Sequence, residues 1–547
     1  MSKMKISFSI CIAFVLSVFL FLLNPLSIYV ENIDFVAFNL IDVLPLWILF
    51  SIIGFLLFAL LITLISKRLK YFPHLLTAFS VCLWIQGNFI KYDLGKLDGH
   101  QILWTELLEN LWIEILVWLA VFALFIFFRK KIGKHYKVIL TLLLLLYSLP
   151  TLFLLKTNSQ NIPVKTYLDT SKEFEYSTQN VIIIILDTFK SGVYEEVLEE
   201  YPGYEEAFKD FIFFEDAIGG YTTTMPSIPL ILTGEYYLND MPYNDYLSLV
   251  EETTISSQLK QNGYSIESYP YVPFFSSLYD NQTKVMPSDE KLITAVEQII
   301  VSGVRYSPLL LKPFFVARFY AGIEPVHNDL VSFNSRVDEV VVVTDNPLFK
   351  LIHLSGVHAP IQLDSSLNWN EAGYLEQASG SLLLVKNLLA ELKTAGVYDN
   401  SLIIVMGDHG DGLPVGSSTF PLASFSHPLL LIKRIGQQSD HMIVSDFAVT
   451  LGDLPKTISE ETNIEYDYSG YSIFEEIPAD RVRKYYYHTW DSTVWISKHL
   501  PTLYEFEISG NAKLASSWKY LGKFQAGSFD NAEYEEDIDM IKSLFEE

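Results

Sequence analysis

Three short segments carry the residues that could do chemistry: NVIIIILDTF at 180–189, GGYTTTMPSIPLILTG at 219–234 and LIIVMGDHGDG at 402–412. Asp408 and His409 follow an apolar run and are flanked by Gly407 and Gly410, so both side chains can be aimed into a cleft while the backbone turns tightly. A carboxylate beside an imidazole suits a divalent cation such as zinc or manganese. Taken alone, Asp-His-Gly also reads as a helix N-cap aspartate beside an exposed histidine. Asp187, at the end of a second such run, adds another carboxylate of the same placement. Thr222, Thr223 and Thr224 precede Met225-Pro226-Ser227 and an apolar run, the pattern of a loop feeding a helix whose N-terminus receives a phosphate or sulfate. A hydroxyl attacks well only when activated, and coordination to a divalent cation activates it. By itself the loop reads equally as an ordinary Ser/Thr N-cap with proline in the first turn.

These residues need rigid elements behind them. Residues 181–186, 349–354 and 402–406 are dominated by β-branched and aliphatic side chains, as strands buried on both faces are. The first ends at Asp187, the second just before Gly356 and His358, and the third at Gly407-Asp408-His409-Gly410. Between them, residues 372–392 place Leu382, Leu383, Val385, Leu388, Leu389 and Leu392 on one helical face. Strands alternating with helices predict an α/β fold with a largely parallel sheet, and ligands bind such sheets beyond the carboxyl ends of the strands. Asp187, His358, Asp408 and His409 all fall there. Residues 483–495 and 502–508 are aromatic and β-branched between turn residues, which predicts a small antiparallel piece. Tyr485, Tyr486, Tyr487, Trp490 and Trp495 could stack on sugars, but their spacing also suits core and cross-strand pairs.

The chain has 547 residues, with 38 Lys+Arg against 64 Asp+Glu and a formal net charge of -26, which argues against nucleic acid as a partner. Mean hydropathy is nevertheless positive. Five apolar stretches explain this, at 6–23, 43–66, 71–90, 107–128 and 138–155, each near the length a hydrocarbon core requires. Lys3 and Lys5, then Lys67, Arg68 and Lys70, then Arg129, Lys130, Lys131, Lys134 and Lys137 occupy alternate flanks, so the positive-inside rule assigns those flanks to the cytoplasm. Five crossings then place residues 156–547 outside it, in a multi-pass protein of the cell membrane. Asp93, Asp98 and His100, between the third and fourth stretches, are given no role. Cys11 and Cys82 both lie in apolar stretches, so the part beyond 155 must hold together without disulfides. The expected layout is a transmembrane domain at 1–155, a linker at 156–179, a catalytic domain at 180–480, a β subdomain at 481–530 and an acidic, solvated tail at 531–547.

The order of these pieces is similar to that of a known family. A buried strand ending in an acid, a Thr-x-Pro-Ser followed by Leu-Thr-Gly, a Gly-x-His-x-Pro and a strand ending in Asp-His-Gly together resemble the sulfatase-like branch of the alkaline phosphatase superfamily. The apolar first 155 residues look like the membrane halves of lipoteichoic acid synthases and lipid A phosphoethanolamine transferases, which carry an extracytoplasmic catalytic domain. The resemblance implies an α/β/α catalytic domain holding one divalent metal ion through Asp187, Thr224, Asp408 and His409. Manganese or zinc is expected, with magnesium and calcium as the other options. It implies Thr224 as nucleophile and His358, in HLSGVHAPI, as the histidine that holds the substrate anion or protonates the leaving group. His427, in SFSHPLLLIK, would be a further anion-binding residue, and reads equally as a helix or strand cap.

Two departures narrow this expectation. Sulfatases that use formylglycine carry Cys or Ser where Thr224 stands and Arg where this chain has Ile228, so sulfate-ester hydrolysis by that route is disfavoured. The transferases usually carry Glu where Asp187 stands. The expected activity is transfer of a phosphoethanolamine- or phosphoglycerol-type head group from a phospholipid donor in the bilayer to an envelope glycan or lipid, through a phospho-threonine. The alternatives are a phosphate- or sulfate-ester hydrolase of the same fold, and a non-catalytic envelope scaffold.

Overall fold

The computed structural model describes residues 3–33, 36–92, 94, 102, 104–158, 165–270, 274–320, 326–412, 420–475, 477–478, 480–490, 498–531 and 535–546. Asp93, Asp98, His100 and Trp495 lie outside these. The chain divides into two compact units, one of Met1–Tyr167 with Thr283–Glu324 and one of Leu168–Gln282 with Pro325–Glu547. The segment Thr283–Glu324 falls within the range expected for the catalytic domain, yet it packs with the N-terminal helices.

In the first unit, helix Lys3–Val18 passes through a π turn at Phe19–Leu23 into helix Asn24–Glu31, so the first apolar stretch continues past its expected end. Three helical runs, Ile6–Glu31, Leu40–Arg68 and Arg129–Asn158, are long and apolar enough to cross a bilayer. Ile52, Leu56, Leu57, Leu60 and Leu61 of the second point outward, as a lipid-facing surface requires. The other two expected crossings are helical as Phe72–Phe89 and Leu111–Phe127, but the latter has only 17 residues. Phe72–Phe89 is diluted by polar groups at its end, where the buried Gln86 accepts a hydrogen bond from Trp118 Nε1 at 3.3 Å. By length and composition, three of the five expected stretches qualify as spans among the described residues. The segment that returns to this unit forms helices Ser288–Tyr306 and Lys312–Tyr320. Its docking is polar as well as apolar: Arg305 pairs with Glu31 at 2.6 Å, Tyr306 Oη lies 2.7 Å from Ser27 Oγ, and Trp47 Nε1 donates to the Ala295 carbonyl at 3.1 Å.

The second unit is built on a seven-stranded sheet in the order Ile443–Ser445, Ile212–Phe214, Leu430–Lys433, Ser401–Met406, Asn180–Leu186, Leu348–Leu354, Ser265–Pro270. Only Leu430–Lys433 runs against its neighbours. Period-two alternation explains the continuous apolar runs, since Val181, Ile183 and Ile185 face one core while Ile182, Ile184 and Leu186 face another. Helices Thr224–Thr233 and Leu454–Glu461 cover the first face, and Ser191–Glu200 with Tyr374–Thr394 the second, which gives three layers.

Strands Val482–Tyr487, Leu503–Ser509, Trp518–Gln525 and Ser528–Asp530 form a separate antiparallel sheet. Tyr485, Tyr486 and Tyr487 are buried, which removes them from any sugar-binding surface, whereas Trp490 is exposed. The acidic tail is not simply solvated. Helix Glu535–Ser543 is followed by Leu544, which is buried in the cluster of Phe420, Phe506 and Trp518, and Lys523 pairs with Asp537 at 2.7 Å. Arg483 on this sheet is fully buried and pairs with Asp216 at 2.7 Å. Replacing Arg483→Met strands a buried carboxylate, so the expected cost is about 3–5 kcal/mol, read as a lowered urea midpoint for the second unit.

Candidate metal centre and active site

Asp187 and Asp408 emerge from adjacent parallel strands whose register pairs Ile185 with Met406, so both carboxylates reach the same sheet edge. Their exposures are 1% and 0%. His353, the penultimate residue of Leu348–Leu354, comes from the strand on the other side of Asn180–Leu186, opposite Ile185. Ligand atoms of Asp187, His353 and Asp408 lie within 4.8 Å of one another. His409 Nε2 is 3.6 Å from a carboxylate oxygen of each aspartate and 3.2 Å from Thr224 Oγ1. Thr224 opens helix Thr224–Thr233, with Thr223 as its extended N-cap. Four residues expected at a metal, Asp187, Thr224, Asp408 and His409, are thus brought together, and His353 joins them.

The backbone holds this arrangement under strain. Thr188 sits at φ +60°, an uncommon place for a β-branched residue, and from there its N–H donates to Asp408 Oδ1 at 3.2 Å. The Asp187 N–H donates to the Leu354 carbonyl and its carbonyl accepts from the Val357 N–H, both at 3.0 Å. Gly356, at φ +51°, allows that approach: a Cβ there would lie 2.6 Å from the Asp187 nitrogen.

Among the described residues, Asp187 Oδ1 and Asp408 Oδ2 are buried without a hydrogen-bond partner. Burial, reinforced by the Asp408 charge, pushes the Asp187 carboxyl well above the usual carboxylate range. Burial likewise pushes the His353 imidazole down to about 4, leaving it neutral and able to ligate. Buried carboxylate oxygens beside the neutral His353 imidazole, with the His409 ring next to them, make a donor set that fits a divalent cation.

His358 is half-buried, with Nδ1 2.7 Å from the Ala359 carbonyl, and lies within electrostatic reach of His353 and His327. The loop bearing it is held from behind, since the Ser355 N–H and hydroxyl both donate to Asp329, at 2.7 and 2.6 Å, and His327 Nδ1 lies 2.9 Å from Ser355 Oγ. His427 ends helix Pro421–Ser426, and its ring lies 2.9 Å from the Ala423 carbonyl, 3.0 Å from Ser426 Oγ and 3.9 Å from Asp216. None of those partners belongs to the cluster, so its contacts are those of a cap.

Several residues at the site escaped the sequence reading. His353 was legible only as a histidine in an otherwise apolar strand. Lys190 is buried and bridges Asp411 at 2.8 Å and Ser424 at 3.2 Å, bracing the turn after His409. His488 follows the aromatic run of the second sheet and lies 3.0 Å from Thr223 Oγ1 and 3.2 Å from Thr222 Oγ1, with the Thr222 hydroxyl donating to its carbonyl at 2.7 Å. Burial pushes its imidazole down to about 3, so it clamps the threonine loop in neutral form.

The sulfatase family model matches residues 179–462, more than half of the chain. The chain belongs to the sulfatase family. The matched stretch contains Asp187, Thr224, His353, Asp408 and His409, so the sulfatase domain and the candidate centre coincide. Mouse (Mus musculus) arylsulfatase J is 27% identical over 169 residues, covering 26% of this chain and 28% of that protein. Among solved structures, a protein in the alkaline phosphatase superfamily from Vibrio parahaemolyticus is similar at 14% identity and a TM-score of 0.38, over 70% of this chain and 87% of that one. The phosphonate monoester hydrolase of Silicibacter pomeroyi is similar at 14% identity and a TM-score of 0.36, over 67% and 93%.

For this sulfatase-family chain, His353→Ala and Asp408→Asn are each expected to lower retained divalent metal at least about tenfold in elemental analysis of the purified protein, while His427→Ala leaves it unchanged. His488→Ala is expected to keep metal content and to slow turnover by about 10–100-fold, because only the threonine loop loses its clamp. Turnover that persists unchanged would remove His488 from the site.

Proposed function

We propose that this chain is a membrane-anchored, metal-dependent enzyme that transfers a phospho-head group, of phosphoethanolamine or phosphoglycerol type, from a phospholipid to an envelope glycan or lipid. The observation that carries this reading is the placement of the Thr224 hydroxyl against His409 and the buried Asp187–Asp408 pair, on a chain with apolar helices long enough to span a bilayer. Thr224 in place of Cys or Ser, and Ile228 in place of Arg, argue against formylglycine chemistry. The orientation proposed puts the catalytic unit outside the cytoplasm, following the basic loops, with five crossings.

Asp187, His353, Asp408 and His409 would hold a divalent ion, which would lower the pKa of the neighbouring hydroxyl and neutralise the paired carboxylates. Thr224 Oγ1 attacks the phosphorus of the lipid phosphodiester, the Oγ1–P bond forms, and the P–O bond to diacylglycerol breaks. The threonine proton passes to solvent. His358 protonates the departing diacylglycerol oxygen and then accepts the proton of the incoming acceptor hydroxyl. That hydroxyl displaces Thr224 from phosphorus, and the Thr224 oxygen takes a proton back from solvent, which returns the enzyme to its starting state. The N–H groups of Thr224 and Met225, which open helix Thr224–Thr233 without a side-chain cap, would stabilise the charge that develops on the phosphoryl oxygens.

Intact-mass spectrometry of the full-length protein, incubated with phosphatidylethanolamine or phosphatidylglycerol, is expected to show a covalent adduct of head-group mass. Thr224→Ala is expected to abolish it while metal stays bound. Free head group released at the wild-type rate by Thr224→Ala would overturn the threonine mechanism in favour of direct hydrolysis.

A further inference from the structure

The helical unit carries a second built feature that shares no residue with the Asp187–Asp408 centre. A cavity of about 340 Å³ is lined by Phe8, Lys70, His74, Arg129, Lys130 and Lys134, among other residues, and no carboxylate of the described residues lines it. The two segments that frame it, 67–74 and 128–137, contain eight Lys or Arg residues and no Asp or Glu. They are tied together, with His74 Nε2 3.0 Å from the Arg129 carbonyl and the Arg129 guanidinium stacked 5.3 Å over the Tyr71 ring. Gly133 keeps the hollow open, because a Cβ there would come within 3.2 Å of His74 Nε2.

Cations gathered around so small a volume repel one another, and an anion placed among them relieves that repulsion. The surroundings say which anion. Phe8, Tyr71 and Pro73 supply apolar lining. Next to the lining residues in sequence, Leu69 and Phe127 turn their side chains outward. A basic hollow at the end of apolar, membrane-length helices matches a lipid whose phosphate sits among the lysines and whose chains run along the helices. Under the positive-inside rule this end faces the cytoplasmic leaflet. We propose that the cavity is a binding site for the headgroup phosphate of an anionic phospholipid.

The test uses the full-length protein purified in detergent and loaded with phosphatidylglycerol or phosphatidylcholine, with retained lipid counted by native mass spectrometry. Wild type is expected to retain phosphatidylglycerol over phosphatidylcholine. The triple variant Lys70→Ala/Lys130→Ala/Lys134→Ala is expected to lose that preference by at least about tenfold. The control Lys131→Ala/Lys137→Ala, in the same segment but away from the lining, is expected to keep it. If the triple variant does not fold, Lys130→Gln alone, at an exposed position, carries the same comparison with a smaller shift. Equal retention by the wild type and the cavity variant overturns the proposal. Millimolar inorganic phosphate is expected to leave the lipid in place. Saturable phosphate binding that displaces the lipid would assign the same chemistry to a soluble phosphate compound and overturn the lipid source.

Discussion

Two carboxylates buried side by side at the ends of neighbouring strands are the constraint around which the catalytic unit is arranged. Asp187 and Asp408 cannot both remain ionised in a low-dielectric edge of the sheet unless a cation compensates them. Every neighbouring feature bears on that condition. Neutral His353 comes in from the next strand, His409 sits between the pair and the Thr224 hydroxyl, and oxygens of both carboxylates are left without hydrogen bonds. A cluster of this kind is unfavourable as a purely structural device, because apolar side chains would fill the same space at lower cost.

The surrounding fold keeps that cluster rigid. The central strands are apolar on both faces, so their register is fixed from two sides and the residues that follow them are placed accurately. Three loops then meet at the sheet edge, each braced by a separate polar device. Lys190 with Asp411 holds the turn after His409, the His327–Ser355–Asp329 network holds the loop of His358, and His488 holds the threonines. The left-handed Thr188 is held by its N–H on Asp408 Oδ1 and by its carbonyl, which accepts from the Tyr374 hydroxyl. Such bracing suits a centre that must present a hydroxyl to an anionic group without reorganising.

The helical unit follows different rules, because three of its helices are long and apolar enough to cross a bilayer. Its outward-facing leucines and isoleucines suit an apolar surrounding, while Tyr306 and Ser27 pair in its interior and Arg305 meets Glu31 nearer the surface. The return of Thr283–Glu324 to this unit shows that its boundary is not a single point in the chain.

Much of the site was legible in the sequence, for a local reason. A strand buried on both faces writes itself as an unbroken apolar run, and an acid or Asp-His-Gly immediately after such a run has to lie at a sheet edge. Asp187, Asp408, His409 and the α/β class follow from that alone, as does Thr224 at a helix start. Tertiary structure decided what depends on neighbours distant in sequence. His353 reads as one more strand residue until the parallel register sets it opposite Ile185. His488 lies in another sheet, more than 260 residues from the threonines it holds, and its role arises only when the two sheets pack. His427, which the sequence offers as an anion-binding residue or a cap, has its Nδ1 against the Ala423 carbonyl of the preceding helix, a contact that only the structure displays. The apolar stretches had a related limit: hydropathy marks a segment as apolar, but the length of the helix that forms around it is set by the fold, as where the first stretch continues through Glu31.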